Sequence, residues 1–149
     1  MIRFFGGRVM TLANGIETQD IEVWTEGSKI VFVGKPKAEE LDGKVFEREY
    51  DLKGNLLMPS FKNAHTHSAM TFLRSYADDM PLQDWLFKQI FPMEAKLDGE
   101  KVYWLTKLAI LEYLTTGCTA AFDMYFELDD YVKACTESGF RSVLCVAVS

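Results

Sequence analysis

Residues 63–70 read Asn-Ala-His-Thr-His-Ser-Ala-Met, and His65 and His67 are the only two histidines of the 149-residue chain. Along an extended strand, residues i and i+2 project from the same face, so the two imidazoles stand side by side while Thr66 points away. Two neutral imidazoles at that spacing suit one shared metal ion of the zinc or iron kind. They stand where an apolar run ends, and in a parallel α/β sheet chemistry collects where strands give way to loops. The same spacing also occurs as two exposed or hydrogen-bonded histidines that happen to be close, so spacing alone leaves both readings open.

The elements that would position the pair begin near residue 57. Residues 56–67 read as a strand interrupted by Pro59. The stretch 98–117 reads as a helix, with Asp98 able to cap it, Glu100 in its first turn and Gly117 able to end it in a left-handed conformation. Its apolar residues, among them Val102, Trp104, Leu105, Leu108, Ile110, Leu111 and Leu114, spread round much of the circumference and predict burial on more than one side. Residues 118–124 read as a strand. A second helix follows, with Leu128, Tyr131, Val132 and Cys135 on one stripe, acidic residues in its first turn and Gly139 at its end. The apolar run 142–148 is typical of a parallel strand covered on both faces. The order β-α-β-α-β predicts an α/β parallel sheet. Three strands make either a small open sheet or a piece of something larger, since a closed (β/α)8 barrel takes about 250 residues.

Residues 1–56 differ in grammar. They read as short strands and turns, with a compact β run at 29–34 and turn signals at 13–15 and 25–29. In 44–52, Phe46, Arg48, Tyr50 and Leu52 alternate with Val45, Glu47, Glu49 and Asp51, which predicts a half-buried strand. The expected organisation is therefore one domain part over 1–56 and another over 57–149. A net charge of −6 argues against nucleic acid or an anionic membrane as partner, because no basic field would attract phosphates. No segment approaches the roughly 20 apolar residues of a membrane span. The N-terminus has no apolar core of signal-peptide length. Cys118, Cys135 and Cys145 form no metal or redox pattern and read as buried thiols of a reducing compartment, so a soluble cytoplasmic protein is expected.

The words around the histidines add a resemblance. Residues 54–70, Gly-Asn-Leu-Leu-Met-Pro-Ser-Phe-Lys-Asn-Ala-His-Thr-His-Ser-Ala-Met, resemble the first barrel strand of the metal-dependent amidohydrolase superfamily, with its G-x-x-x-x-P-G-x-x-x-x-H-x-H pattern. Residues 73–97 and 115–126 look like the branch that holds deaminases of S-adenosylhomocysteine and 5′-methylthioadenosine, with the related chlorohydrolases. The likeness runs over about residues 2–148 and is looser in 1–50. It implies the N-terminal part of a small β-sandwich domain, followed by the first β/α units of a TIM-type barrel that is incomplete in this chain. It implies His65 and His67 as two ligands of one divalent metal, zinc or iron. It also implies a hydrolase that deaminates an adenosine-type nucleoside by attack of metal-bound hydroxide, with a glutamate shuttling protons. Trp85 matches an aromatic residue bordering the nucleoside, and Glu94 a glutamate that accepts from the ribose hydroxyls, a task that suits an acceptor-only carboxylate. The partner implied is a small nucleoside, and the full-length form is expected to be a homo-oligomer.

Other residues read as local structure. The Asp78-Asp79 pair before Pro81 reads as a turn, Asp123 and Tyr125 as local hydrogen-bonding groups at a strand end, and Arg74 remains open. Two positions depart from the family pattern: Ser60 stands for a glycine and Lys62 for a small aliphatic residue, on the strand face that packs against helices, where an ammonium is costly unless its stem reaches solvent. The family's further histidines, metal-binding aspartate and catalytic glutamate come from later strands, so no catalytic residue is expected within this chain. Because a catalytic zinc normally has at least three protein ligands, residues 1–149 alone are expected to be inactive. The alternatives are a chlorohydrolase or another amidohydrolase, such as a guanine- or cytosine-type deaminase, and a non-catalytic homologue serving as an interaction module.

Overall fold

A computed structural model describes residues 1–13 and 15–146. The chain divides into two units, Met1–Pro59 and one that begins at Ser60. The first is built from β1 (Ile2–Phe5), β2 (Arg8–Leu12), β3 (Gly15–Gln19), β4 (Glu22–Glu26), β5 (Lys29–Gly34), a short helix α1 (Ala38–Leu41), β6 (Arg48–Asp51) and β7 (Leu56–Leu57). They form two sheets, ordered β5-β4-β1-β6 and β3-β2-β7. Leu56 and Leu57 pair with Arg8 and Val9 of β2, so this unit extends past residue 56. Gly7 lies between β1 and β2, where a Cβ would stand 2.4 Å from the Asn55 carbonyl oxygen; only glycine fits so close a backbone approach.

The strand expected over 44–52 is shorter than the alternation predicted. Only Arg48–Asp51 is extended, and all four of its residues are exposed. Among the described residues β6 is the outer strand of its sheet and pairs with β1 alone, so the period of two marks an edge, not a half-buried strand. Tyr50 stacks on Phe4 with ring centroids 5.2 Å apart.

Arg3 anchors the same sheet. Its guanidinium donates to Glu22 at 2.6 and 2.7 Å and to Glu49 at 3.0 Å, and the Trp24 indole donates to Glu22 at 2.9 Å. Burial alone would raise the Glu22 pKa, but the hydrogen bonds from Arg3 and Trp24 outweigh it and hold the carboxyl below its ordinary value. A depressed pKa places this stabilisation above the unfolded value of 4.5, and it disappears as pH falls through the folded one. Glu22→Gln is expected to lower stability at neutral pH by about 1–3 kcal/mol. It should also flatten the acid limb of the stability curve of the intact protein below about pH 5. An acid limb unchanged by the substitution would contradict this assignment.

The second unit holds β8 (Phe61–Thr66), a 3₁₀ turn over Ser68–Leu73, a helical run over 82–94, α4 (Gly99–Thr115), β9 (Cys118–Tyr125), α5 (Leu128–Ser138) and β10 (Arg141–Val146). The three strands are parallel, in the order β10-β9-β8. Pro59 splits the apolar run 56–67, and its two halves pair in different sheets. In the run 82–94, α2 (Leu82–Asp84) and α3 (Phe91–Glu94) flank a π segment, Trp85–Ile90, in which the Phe91 amide reaches back to the Leu86 carbonyl. Pro92 supplies the cause, since it has no N–H and its ring crowds the carbonyl four residues back.

The Asp98 side chain caps α4 by accepting from the Lys101 amide at 3.0 Å, and Gly139 ends α5 at φ 64°. Ala69, Val102, Ile110, Ala121, Tyr125, Tyr131, Cys135 and Phe140 form the core. A fully buried side chain such as Val102 or Ile110 contributes about 1.5–3 kcal/mol. Burial of α4 is narrower than its apolar residues predicted. Trp104, Leu108, Leu111 and Leu114 are exposed, because α4 packs mainly on the 3₁₀ turn, β9 and α5, on one side. In α5 the buried residues are Tyr131, Ala134 and Cys135, while Leu128 and Val132 are exposed. The two-sided cover expected of 142–148 is likewise absent among the described residues. Leu144 packs on the core, whereas Val143, Phe122 and Met124 are exposed; Ala147 and Val148 lie outside the described residues.

The departures at residues 60 and 62 meet each other. The Lys62 ammonium donates to Ser60 Oγ at 2.7 Å and to Thr119 Oγ1 at 3.1 Å, and it is exposed. The serine that replaces glycine is thus a partner of the lysine that replaces a small residue, and no charge is buried.

Candidate functional site

His65 is the last residue but one of β8, which ends at Thr66; His67 follows with φ −134° and ψ 77° and leads into the 3₁₀ turn. The two rings stay together, with centroids 5.2 Å apart and planes inclined by 80°. His65 is exposed, and its amide donates to Asn63 Oδ1 at 3.2 Å. His67 is half-buried, and its Nδ1 lies 2.8 Å from the Met124 carbonyl oxygen. A carbonyl only accepts, so Nδ1 carries the proton, and in the neutral imidazole it is Nε2 that has the free lone pair. That is the tautomer a metal-ligating imidazole needs when it binds through Nε2.

Beside His67 runs a polar chain through otherwise apolar packing. Asp123 is 1% exposed. It accepts from the Ser68 amide at 3.1 Å, from the Ser68 hydroxyl and from the Tyr131 hydroxyl. An ionised carboxylate cannot donate, which fixes the direction of the rest. With its proton on Asp123, Ser68 Oγ accepts from the Tyr113 hydroxyl at 3.0 Å, and Tyr113 in turn accepts from Thr66. Burial, and then the hydrogen bond to Asp123, push the Tyr131 phenol far above its ordinary range and keep it a donor.

Trp85, at the start of the π segment, lines a cleft of about 320 Å³ together with His67, Ser68, Arg74 and Tyr113. Glu94, half-buried at the end of α3, lies in a different cleft of about 500 Å³, with Phe91, Tyr125, Phe126 and Glu127. The structure therefore brings Trp85 to His67 and keeps Glu94 apart. The second cleft meets the end of β9, where Tyr125 faces Glu94, and the Met124 carbonyl just before it holds His67. Burial, and then the Glu94 carboxylate, push the Tyr125 phenol upward, and among the described residues its buried hydroxyl has no hydrogen-bond partner. Arg74 is tied to Glu112 by two bonds of 2.7 and 2.9 Å, and Asp79 sits at φ 55°, in a turn. Among the described residues no three His, Cys, Asp or Glu side chains gather as a metal cluster.

The profile of the amidohydrolase family matches residues 56–148. The chain belongs to the amidohydrolase family. A 5-methylthioadenosine/S-adenosylhomocysteine deaminase of Desulfitobacterium hafniense is 44% identical over 123 residues, covering 83% of this chain and 28% of that protein. A 5′-deoxyadenosine deaminase of Methanospirillum hungatei is 56% identical over 94 residues, covering 63% of this chain and 21% of that protein. The chain thus spans about a quarter of the length of these curated relatives. Among solved structures, a zinc-bound adenosine deaminase from Xanthomonas campestris superposes with a TM-score of 0.88 at 33% identity, over 95% of this chain and 33% of that one. An atrazine chlorohydrolase from Arthrobacter aurescens, complexed with zinc, shares the fold at a TM-score of 0.83 and 22% identity, over 98% of this chain and 35% of that one. The three parallel strands are accordingly the first of an amidohydrolase barrel.

Sequence reasoning missed the chain of hydroxyls in this amidohydrolase segment. Thr66 was read only as pointing away from the histidines, Tyr131 as one member of an apolar stripe, and Ser68 and Tyr113 had no reading. The available signal was a phenol at core-facing positions of α4 and α5, since a buried tyrosine hydroxyl usually finds a partner. Tyr125 and Tyr131 offer a direct contrast. Tyr131→Phe is expected to cost about 1–3 kcal/mol, because Asp123 loses a donor, whereas Tyr125→Phe should be near neutral or slightly stabilising. Urea unfolding of the intact protein measures both; equal losses would contradict the hydrogen-bond assignment.

Proposed function

We propose that the protein carrying this chain deaminates an adenosine-type nucleoside hydrolytically, such as S-adenosylhomocysteine or 5′-methylthioadenosine. His65 and His67 would be two ligands of a single divalent metal, for which zinc is the first choice and iron the second. The observation that carries this reading is the ring pair itself. The two imidazoles adjoin, and the Nδ1 proton of His67 is committed to the Met124 carbonyl, which leaves Nε2 as a ligand atom. The donor set fits zinc but is short of the three protein ligands a catalytic site normally has, so the remainder must come from the rest of the intact protein. When bound, such a metal supplies Lewis acidity and lowers the pKa of water toward neutrality.

This chain's own residues do the positioning. The Met124 carbonyl orients His67. Trp85, in the cleft beside His67, offers an aromatic face to a purine. Glu94 is acceptor-only and can take two ribose hydroxyls at once. The names of the relatives and the zinc in the adenosine deaminase structure support the same substrate class and metal. We read the protein further as a homo-oligomer, in keeping with the exposed Trp104, Leu108 and Leu111 of α4, and as cytoplasmic, in keeping with three free cysteines.

The test is a substrate panel on the intact, zinc-loaded protein: adenosine, S-adenosylhomocysteine, methylthioadenosine, 5′-deoxyadenosine, guanine and a halogenated triazine, read by ammonia or chloride release. Turnover of the adenosine compounds is expected. His67→Ala should lower kcat/KM by roughly a thousandfold, about 4 kcal/mol of barrier. Glu94→Gln should act mainly on the KM of ribosides. Turnover of guanine or the triazine with no adenosine compound deaminated would sink the substrate assignment.

A further inference from the structure

We propose that Asp123 is a positioning residue for the histidine pair: through Ser68 and Tyr131 it clamps the backbone beside His67 and so fixes where that imidazole stands. The inference rests on the reading of His65 and His67 as metal ligands.

Three observations carry it. First, the β8–β9 ladder is irregular where the histidines lie. Asn63 pairs with Ala121 and Thr66 with Asp123, so three steps on β8 oppose two on β9. A register break of this kind leaves the strand end without a regular ladder to hold it. Second, the polar chain grips both neighbours of His67. Thr66 bonds to Tyr113, and Ser68 bonds to Tyr113 and, through both its amide and its hydroxyl, to Asp123. Met124, the residue after Asp123, holds the imidazole itself. Two consecutive residues of β9 therefore fix the backbone and the ring of the same loop.

Third, the chemistry of residue 123 is specific to this task. A carboxylate buried to 1% exposure is a costly way to fill core space. What it does that an apolar side chain cannot is accept three donors together: the Ser68 amide, the Ser68 hydroxyl and the Tyr131 hydroxyl. An asparagine there would turn an N–H₂ group toward a donor. Among the described residues Asp123 bonds to neither ring; it acts through the loop backbone, one link further out than the Met124 carbonyl, which is the direct outer partner that orients His67.

The test uses the intact protein, with Asp123→Asn and Tyr131→Phe as variants and Ile110→Ala as a control that loosens the same core without touching the polar chain. Zinc affinity is measured by competition with a chelator, the ligand field by the visible spectrum after Co²⁺ substitution, and folding by thermal unfolding. Asp123→Asn is expected to weaken zinc binding about 10-fold, the low end of the loss seen when a ligand's direct partner is removed, and to alter the cobalt spectrum. Tyr131→Phe, which preserves shape, should act in the same direction by a few-fold, and Ile110→Ala should lower the Tm while leaving metal affinity unchanged. If Asp123→Asn does not fold, Tyr131→Phe decides alone. Variants that lose Tm like Ile110→Ala yet keep wild-type zinc affinity and cobalt spectrum would reduce Asp123 to a structural role. A wild-type protein that takes up neither metal would instead overturn the ligand reading of the histidines, and this proposal with it.

Discussion

A carboxylate taken out of water must find donors or give up its charge, and that requirement at Asp123 organises the second unit. Its three donors come from the loop after β8 and from α5, and the Ser68 hydroxyl passes the demand on to Tyr113 of α4 and Thr66 of β8. One buried charge thereby couples the loop, two strands and both crossover helices. Apolar packing around Ala69, Val102 and Ile110 supplies most of the folding energy. That packing is non-directional, however, and tolerates small shifts that a hydrogen-bonded carboxylate does not.

The end of β9 acts as a hub because alternate residues of a strand face opposite ways. Asp123 and Tyr125 are buried among the core residues and helices, while Met124 between them is exposed. The β8 ladder stops at the Thr66–Asp123 pair, so the next β9 carbonyl, that of Met124, receives His67, while its neighbours reach the loop at Ser68 and the cleft at Glu94. The choice between the two nitrogens of His67 for the proton follows from a backbone group that no side-chain substitution removes.

Much of this was legible in the sequence, and the part that was not has a common cause. The capped helix after Asp98, the αL glycine at 139, the break at Pro59 and the adjacency of His65 and His67 all depend on residues near one another in the chain, and local rules reach them. The Asp123–Ser68 and Tyr113–Thr66 bonds join residues far apart in sequence, and no period or spacing encodes them. The π segment at Trp85 was partly foreseeable from Pro92. The burial of α4 was overread because apolar residues round a helix report what could be covered, not what covers it. The alternation over 44–52 was overread for the related reason that a two-residue period does not tell an edge strand from a half-buried one. The lysine at 62 was expected to be a burden on its strand, and it is not, because Ser60 and Thr119 hold its ammonium at the surface.

The central claim is that His65 and His67 act as a pair of metal ligands, with His67 binding through the nitrogen that Met124 leaves free. Anomalous diffraction at the zinc edge from crystals of the intact protein tests it most directly. The account predicts one metal peak about 2.0–2.1 Å from Nε2 of His67 and at a similar distance from a ring nitrogen of His65, with His67 Nδ1 still on the Met124 carbonyl. The absence of a metal at the pair, or a metal bound to His67 Nδ1 with the Met124 bond broken, would contradict it.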